Sequence, residues 1–264
     1  MVIVYLIVGN EIDNLIFGLS FLEKEPPRFE CYHDDTAEWK ECEKSEICAL
    51  NEPKDHYRPV KEEDEYIDNW IEKFDLLCEP KYKVGLIGSF YFIGICTTLT
   101  FVPPLADAFG RKWVFNITLL VSIIAQFSII MTNNLYQLYF FMFLIGATFA
   151  GRIVVGLGYV LEFLQPKWHA SMIYWLLVTE CLAIVILTAW YQFVERSWLT
   201  LHIVLLVTSI ITMTYFIIAV PESPKWLYTW HKYEQAKEQL AYVAGFNGYG
   251  ERRVRHLKKL KFDL

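Results

Sequence analysis

Long apolar runs separated by short polar turns dominate this chain, and their lengths predict membrane-crossing helices. About twenty apolar residues are needed to cross a hydrocarbon core of ~30 Å. Runs of that length fall near 1–22, 83–104, 113–132, 135–162, 170–192 and 198–220. The expected fold class is therefore an all-α membrane protein with six transmembrane helices. A loop domain that carries cysteines (23–82) follows the first helix, and an amphipathic helix with a basic tail (221–264) follows the last. The alternative that fits the same runs is a large soluble bundle of buried helices.

Composition favours the membrane. The 264 residues are 55% hydrophobic, too apolar for an ordinary soluble domain. The formal net charge of −6 conceals segregation, because the 23–82 loop is acidic and the segment after Pro221 is basic. Arg111, Lys112 and Lys167 fall in the turns after the second and fourth spans, on the same side as the tail. That side is the cytosol or an equivalent compartment, and the acidic loop faces away from it. No basic region precedes Val2–Val8, and Glu11 and Asp13 interrupt the apolar run, which argues against a cleaved signal peptide.

Four charged side chains fall well inside the spans, away from their ends. Glu11 and Asp13 sit in the first, where an ionised carboxylate costs roughly 2.5–3.5 kcal/mol unless paired or hydrated. They form either a hydrogen-bonded pair inside the bundle or a cation-binding group. Arg152 and Glu180 each lie fourteen residues from Pro166. At about 1.5 Å per residue they reach similar depth on antiparallel neighbours, so an Arg152–Glu180 ion pair is expected. Gly146, Gly151, Gly156 and Gly158 suit close helix packing.

In the loop, Cys31, Cys42, Cys48 and Cys78 predict two disulfides with three possible connectivities. Zinc competes, with His33 and His56 nearby, but no Cys-x-x-Cys spacing supports it, and no metal site is expected. Lys61–Asp68 reads as a solvated helical face. The sole Asn-x-Ser/Thr match, Asn116–Thr118, lies at the start of the third span. No nucleophile–base constellation or Gly-rich phosphate loop points to an enzyme or a cofactor. The short basic tail lacks the interleaved aromatics of a nucleic-acid binder.

Three motifs carry a resemblance. Leu105-Ala106-Asp107-Ala108-Phe109-Gly110-Arg111-Lys112 supplies a Gly at a reversal, with cations that Asp107 can accept from. It resembles the signature loop between the second and third spans of major facilitator superfamily transporters. Phe74-Asp75-Leu76-Leu77-Cys78, followed by Lys81 to Lys83 and the span of Gly85 and Ser89, is similar to the organic cation/anion transporter family of solute carriers. Pro221-Glu222-Ser223-Pro224-Lys225-Trp226-Leu227 resembles the motif that closes the sixth span in organic ion and sugar transporters. Pro221 stops the span, Glu222 suits the head of the next helix, and Lys225-Trp226 suit the headgroup boundary. Glu162 matches an acidic residue that the family places at the end of its fourth span. After the motif, Tyr228–Ala244 reads as a surface helix. Val254, Leu257 and Leu260 recur among cations in the tail, fitting a helix on an anionic membrane face or on a partner.

The resemblance implies the first six-span half of a fold built from two such halves, with substrate bound between them. Pro103, Ala108, Met142 and His169 stand where the family usually has Gly, Arg, Arg and Arg. A face built to meet a twin half cannot stand bare in lipid, so other membrane subunits or a second six-helix half are expected as partners besides the bilayer. The reading favoured is a transporter-derived accessory subunit of a larger membrane assembly. The missing loop sequons favour an internal membrane, such as the mitochondrial inner membrane, over the plasma membrane. The alternative is a working transporter of organic cations that pairs with a second half, with Glu11, Asp13 and Glu180 forming an acidic cavity.

Overall fold

Apolar runs of span length form helices here because a helix satisfies its own backbone groups where no water can. A computed structural model of the chain describes residues 5–6, 16–33, 38–50, 56–62 and 66–248. Among these, five helices are long and apolar enough to cross a membrane: Lys81–Leu99, Arg111–Met131, Leu135–Leu161, Pro166–Val194 and Trp198–Ala219. The expected first span falls partly outside the described residues, and so do Glu11 and Asp13; 5–6 and 16–22 are helical. The tail beyond 248, with Val254, Leu257 and Leu260, also lies outside them.

The second span ends earlier than its apolar run suggests. Pro103 and Pro104 lack the N–H that a continuing helix needs, so they open a separate short helix, Val102–Phe109, in the first turn where that N–H is not required. The loop domain corrects the all-α expectation. Phe29–His33 (β1) pairs antiparallel with Glu38–Cys42 (β2) and with Tyr57–Pro59 (β3), in the order β2-β1-β3. Phe29 and Cys31 alternate inward on β1. The described part of Lys61–Asp68 is not helical. Two disulfides, Cys31–Cys42 and Cys48–Cys78, resolve the three connectivities.

After the first helical segment, the helices in chain order are α1 (Lys44–Leu50), α2 (Trp70–Lys73), α3 (Lys81–Leu99), α4 (Val102–Phe109), α5 (Arg111–Met131) and α6 (Leu135–Phe149). Then come α7 (His169–Ala189), α8 (Trp198–Ala219), α9 (Pro224–Thr229) and α10 (Tyr233–Phe246). A π-helical turn, Ala150–Val155, extends α6 into Gly156–Leu161. One core runs from the loop domain (Trp70, Ile71, Leu76) into the adjoining half of the bundle (Tyr91, Ile129, Met142). A second fills the opposite half around Phe115, Tyr159, Met172 and Phe216.

The loop domain is fastened to the bundle by three polar residues. Asn69, fully buried, caps α2 through its side-chain oxygen, and its Nδ2 donates to the carbonyls of Phe21 (3.1 Å) and Lys24 (2.6 Å). Asp68 pairs with the entry to α8: its N–H donates to Arg196 O, its carbonyl accepts from Trp198 N, and Ser197 Oγ donates to its carboxylate. Lys73 Nζ donates to the last-turn carbonyls Ile129 O (2.8 Å) and Ile130 O (2.9 Å) of α5 and lies 4.4 Å from the centre of the Trp198 ring. Burial pushes the Lys73 ammonium down to about 8.

At the same junction, burial pushes the Glu23 carboxyl up to about 7. The folded protein thus holds a proton there that the unfolded chain releases near pH ~4.3. Between those values the folded state binds more protons, so stability falls as pH rises through that window. Glu23→Gln should flatten the melting temperature between about pH 4.5 and 7 and raise it at the upper end. Parallel pH profiles for the two proteins would contradict the assignment.

Candidate polar clamp

Motifs far apart in sequence meet at one polar cluster, at the end of α5 opposite the loop domain. Gly110 reverses the chain between α4 and α5 at φ +106°, a conformation that disfavours a Cβ. An added Cβ there would also sit 2.6 Å from Glu222 Oε2. Both the turn and the contact demand glycine.

Arg111, at the first position of α5, bridges two acids. Its Nη2 donates to Asp107 Oδ1 at 3.0 Å, one helical turn back. Its Nε lies 2.9 Å from Glu162 Oε1, at the C-terminal end of the fourth span. The two partners differ in setting, for the Glu162 side chain is 9% exposed and that of Asp107 is 67% exposed. The guanidinium lies against Gly158, whose absent Cβ would come within 2.9 Å of Nη1.

Glu222 serves a helix other than the one sequence suggests. Its Oε1 accepts from the backbone N–H of Lys112 at 3.0 Å, so the carboxylate caps the start of α5 rather than heading only the helix that follows it. It accepts from Ser223 N as well. Negative charge at a helix N-terminus is stabilising because the free N–H groups point there. Ser223 Oγ in turn accepts from Trp226 N and caps α9, with Pro224 in its first turn. The Lys112 ammonium donates to Ile217 O at 3.0 Å, capping the far end of α8. Trp226 Nε1 and Trp230 Nε1 both donate to the Asp107 carbonyl, at 2.7 and 3.0 Å. Tyr159 O–H donates to Pro221 O. Lys225 is exposed.

The cluster ties α4, α5, the fourth span, α8 and α9 into one unit. His169 stands outside it, its ring nitrogen hydrogen-bonded to Leu164 O at 3.2 Å. Ala108 is exposed and Met142 is fully buried, so neither reaches the clamp with a charge.

The intramembrane pair predicted from depth is not formed. Arg152 is fully buried and its Nη1 donates to Ser122 Oγ on α5 at 2.7 Å. Glu180 is half-buried on α7 and makes no ion pair among the described residues. Equal depth does not fix rotation about the helix axis. The π-helical turn holds an extra residue per turn and aims Arg152 at α5 instead of α7. Gly151 assists, since Thr118 of α5 occupies the space its Cβ would need.

Sequence reasoning missed the outer fastening by Asp68, Asn69 and Lys73. Asn69 immediately before Trp70-Ile71-Glu72 was the available signal, a capping residue ahead of a helical turn. The targets of its side-chain amide, two carbonyls at the end of the first helical segment, carry no sequence signature.

Two comparisons with known proteins bear on this arrangement. The model of the family described as sugar (and other) transporter matches residues 40–259. Among similar proteins, solute carrier family 22 member 2 of Rattus norvegicus is 24% identical over 178 residues, covering 67% of this chain and 32% of that protein. Solute carrier family 22 member 15-like of Xenopus laevis is 28% identical over 193 residues, with coverages of 71% and 38%. Organic cation/carnitine transporter 2 of Homo sapiens is 23% identical over 193 residues, with coverages of 70% and 33%. The chain spans about a third of the length of these relatives.

Proposed function

The chain belongs to the sugar (and other) transporter family of the major facilitator superfamily, and from that premise we propose that it acts as a six-helix transporter half docked to other membrane subunits. The single observation that carries this is the clamp. Asp107, Arg111, Glu162 and Glu222 join the inner ends of several helices, which suits a body that keeps its shape while packed against a second body. The open faces support the same reading. Half-buried Glu180 lies on α7, whereas the exposed Ser89 and Thr97 hydroxyls on α3 donate back to Gly85 O and Gly94 O of their own helix. A carboxyl at membrane depth calls for protein neighbours rather than hydrocarbon. A second six-helix half, supplied by another chain or by further sequence, would cover it.

Within that assembly we assign the chain an accessory, structural role in an internal membrane such as that of mitochondria. The positions of Ala108, Met142 and His169 support this role, since they carry no arginine toward the clamp. The second reading is transport of an organic cation, which rests on the names of the relatives and on the Glu180 carboxylate. Uptake of tetraethylammonium by cells or vesicles that hold the native assembly separates the two. A structural role predicts no change in uptake for Glu180→Gln, with the assembly intact. Loss of saturable uptake in that variant, at unchanged assembly, would overturn the structural role and establish transport.

A further inference from the structure

A groove of about 560 Å³ opens on the inner face between the start of α5, the end of α8 and α10. Its two walls differ in chemistry. Lys232, Gln235, Gln239 and Tyr242 recur at three- and four-residue spacing and place one face of α10 along the polar wall. The opposite wall is apolar and open: Phe109 is 67%, Trp113 68% and Ile218 77% exposed.

Two ammonium groups border the groove. Lys112 Nζ is held at its rim by Ile217 O, and one such bond leaves an ammonium two donors for a ligand. Lys232 Nζ lies 5.0 Å from the centre of the Trp226 ring, which fixes it beside the same opening. Glu222 is the acid in the lining, and its Oε1 already accepts two backbone N–H groups. The cations therefore outnumber the acid at the groove, and the added amide donors suit phosphate oxygens. The apolar wall continues along the bundle as exposed Ile117 of α5 and Ile211 of α8.

We propose that this groove binds the headgroup of an anionic phospholipid, with an acyl chain lying along the exposed faces of α5 and α8. A soluble phosphate would satisfy the ammonium and amide donors but would make no contact with the apolar wall of Phe109, Trp113 and Ile218. The position agrees with the positive side of the bundle, where anionic lipid attracts lysines, and tryptophan suits headgroup depth.

The test uses the purified full chain in neutral detergent, melted with added phosphatidylglycerol, phosphatidylcholine or inorganic phosphate. Phosphatidylglycerol should protect saturably and at lower concentration than phosphatidylcholine, with inorganic phosphate ineffective. Lys232→Gln should raise the half-saturating phosphatidylglycerol concentration roughly fivefold, as expected for one lysine at an anionic surface. Gln239→Glu, on the same wall and outside the clamp, should weaken protection similarly and serves if the lysine variant folds poorly. Equal protection by the two lipids, or unchanged protection in both variants, would overturn the site. Protection by inorganic phosphate matching that by phosphatidylglycerol would overturn its assignment to a lipid.

Discussion

Gly146→Val should abolish the folded bundle, while Gly85→Ala, one helix away, should be neutral or mildly stabilising. At Gly146 the fourth span crosses α3 so closely that an added Cβ would overlap the carbonyl oxygen of Tyr91, and at Gly94 it would overlap that of Phe143. These are backbone atoms of two long helices, so neither can yield without separating the pair. Overpacking usually costs about 1–3 kcal/mol, and a collision with backbone at a helix crossing belongs at or beyond the upper end. Stability margins of about 5–15 kcal/mol leave little room for that loss with the outer core split open. Gly85 is the internal control. Nothing lies within 4 Å of the position its Cβ would take, and alanine is preferred to glycine in a helix by roughly 0.5–1 kcal/mol. Yield of monodisperse protein and melting temperature read both variants. Similar behaviour of the two would contradict the packing.

The second large effect lies in the clamp and is asymmetric. Glu162→Gln should destabilise by about 2 kcal/mol, because Arg111, 24% exposed, loses its shielded counter-charge and keeps only the exposed Asp107. Asp107→Asn should cost less than about 1 kcal/mol, since that carboxylate is mostly in water and screened. Both acids touch the same guanidinium, at 2.9 and 3.0 Å, so distance alone predicts equal effects and burial decides between them. The double variant Arg111→Met, Glu162→Met should recover much of the loss, as replacing a whole buried pair is often neutral. Thermal melts of the three proteins at one ionic strength provide the check. Equal losses for Glu162→Gln and Asp107→Asn would contradict the burial argument.

Sequence reveals these sites unevenly, for physical reasons. The spans are legible because length and hydropathy alone decide whether a segment crosses a bilayer. The clamp is legible because its turn needs Gly110 and its charges come as short local motifs around 105–112, Glu162 and 221–226. What joins them is not, and nothing near Glu222 in sequence announces that it caps a helix starting at Arg111. Arg152 shows the limit more sharply. Residue counting from Pro166 fixes depth, but a single π-helical turn at 150–155 rotates the side chain onto Ser122. The sheet was hidden for another reason. Glu38-Trp39-Lys40-Glu41-Cys42 lacks an apolar alternation, and its place is set by pairing with β1 and by the Cys31–Cys42 disulfide. Lys73 bonds to carbonyls exposed only where α5 ends, 56 and 57 positions away.

The measurement that tests the central claim most directly is the size and composition of the native assembly, extracted in mild detergent and resolved by native electrophoresis with mass spectrometry of its bands. A six-helix half docked to other membrane subunits predicts a discrete complex well above one 31.1 kDa chain, containing further membrane proteins or a second six-helix half. A monodisperse single chain that keeps its fold and its melting temperature alone in detergent and in lipid would contradict it.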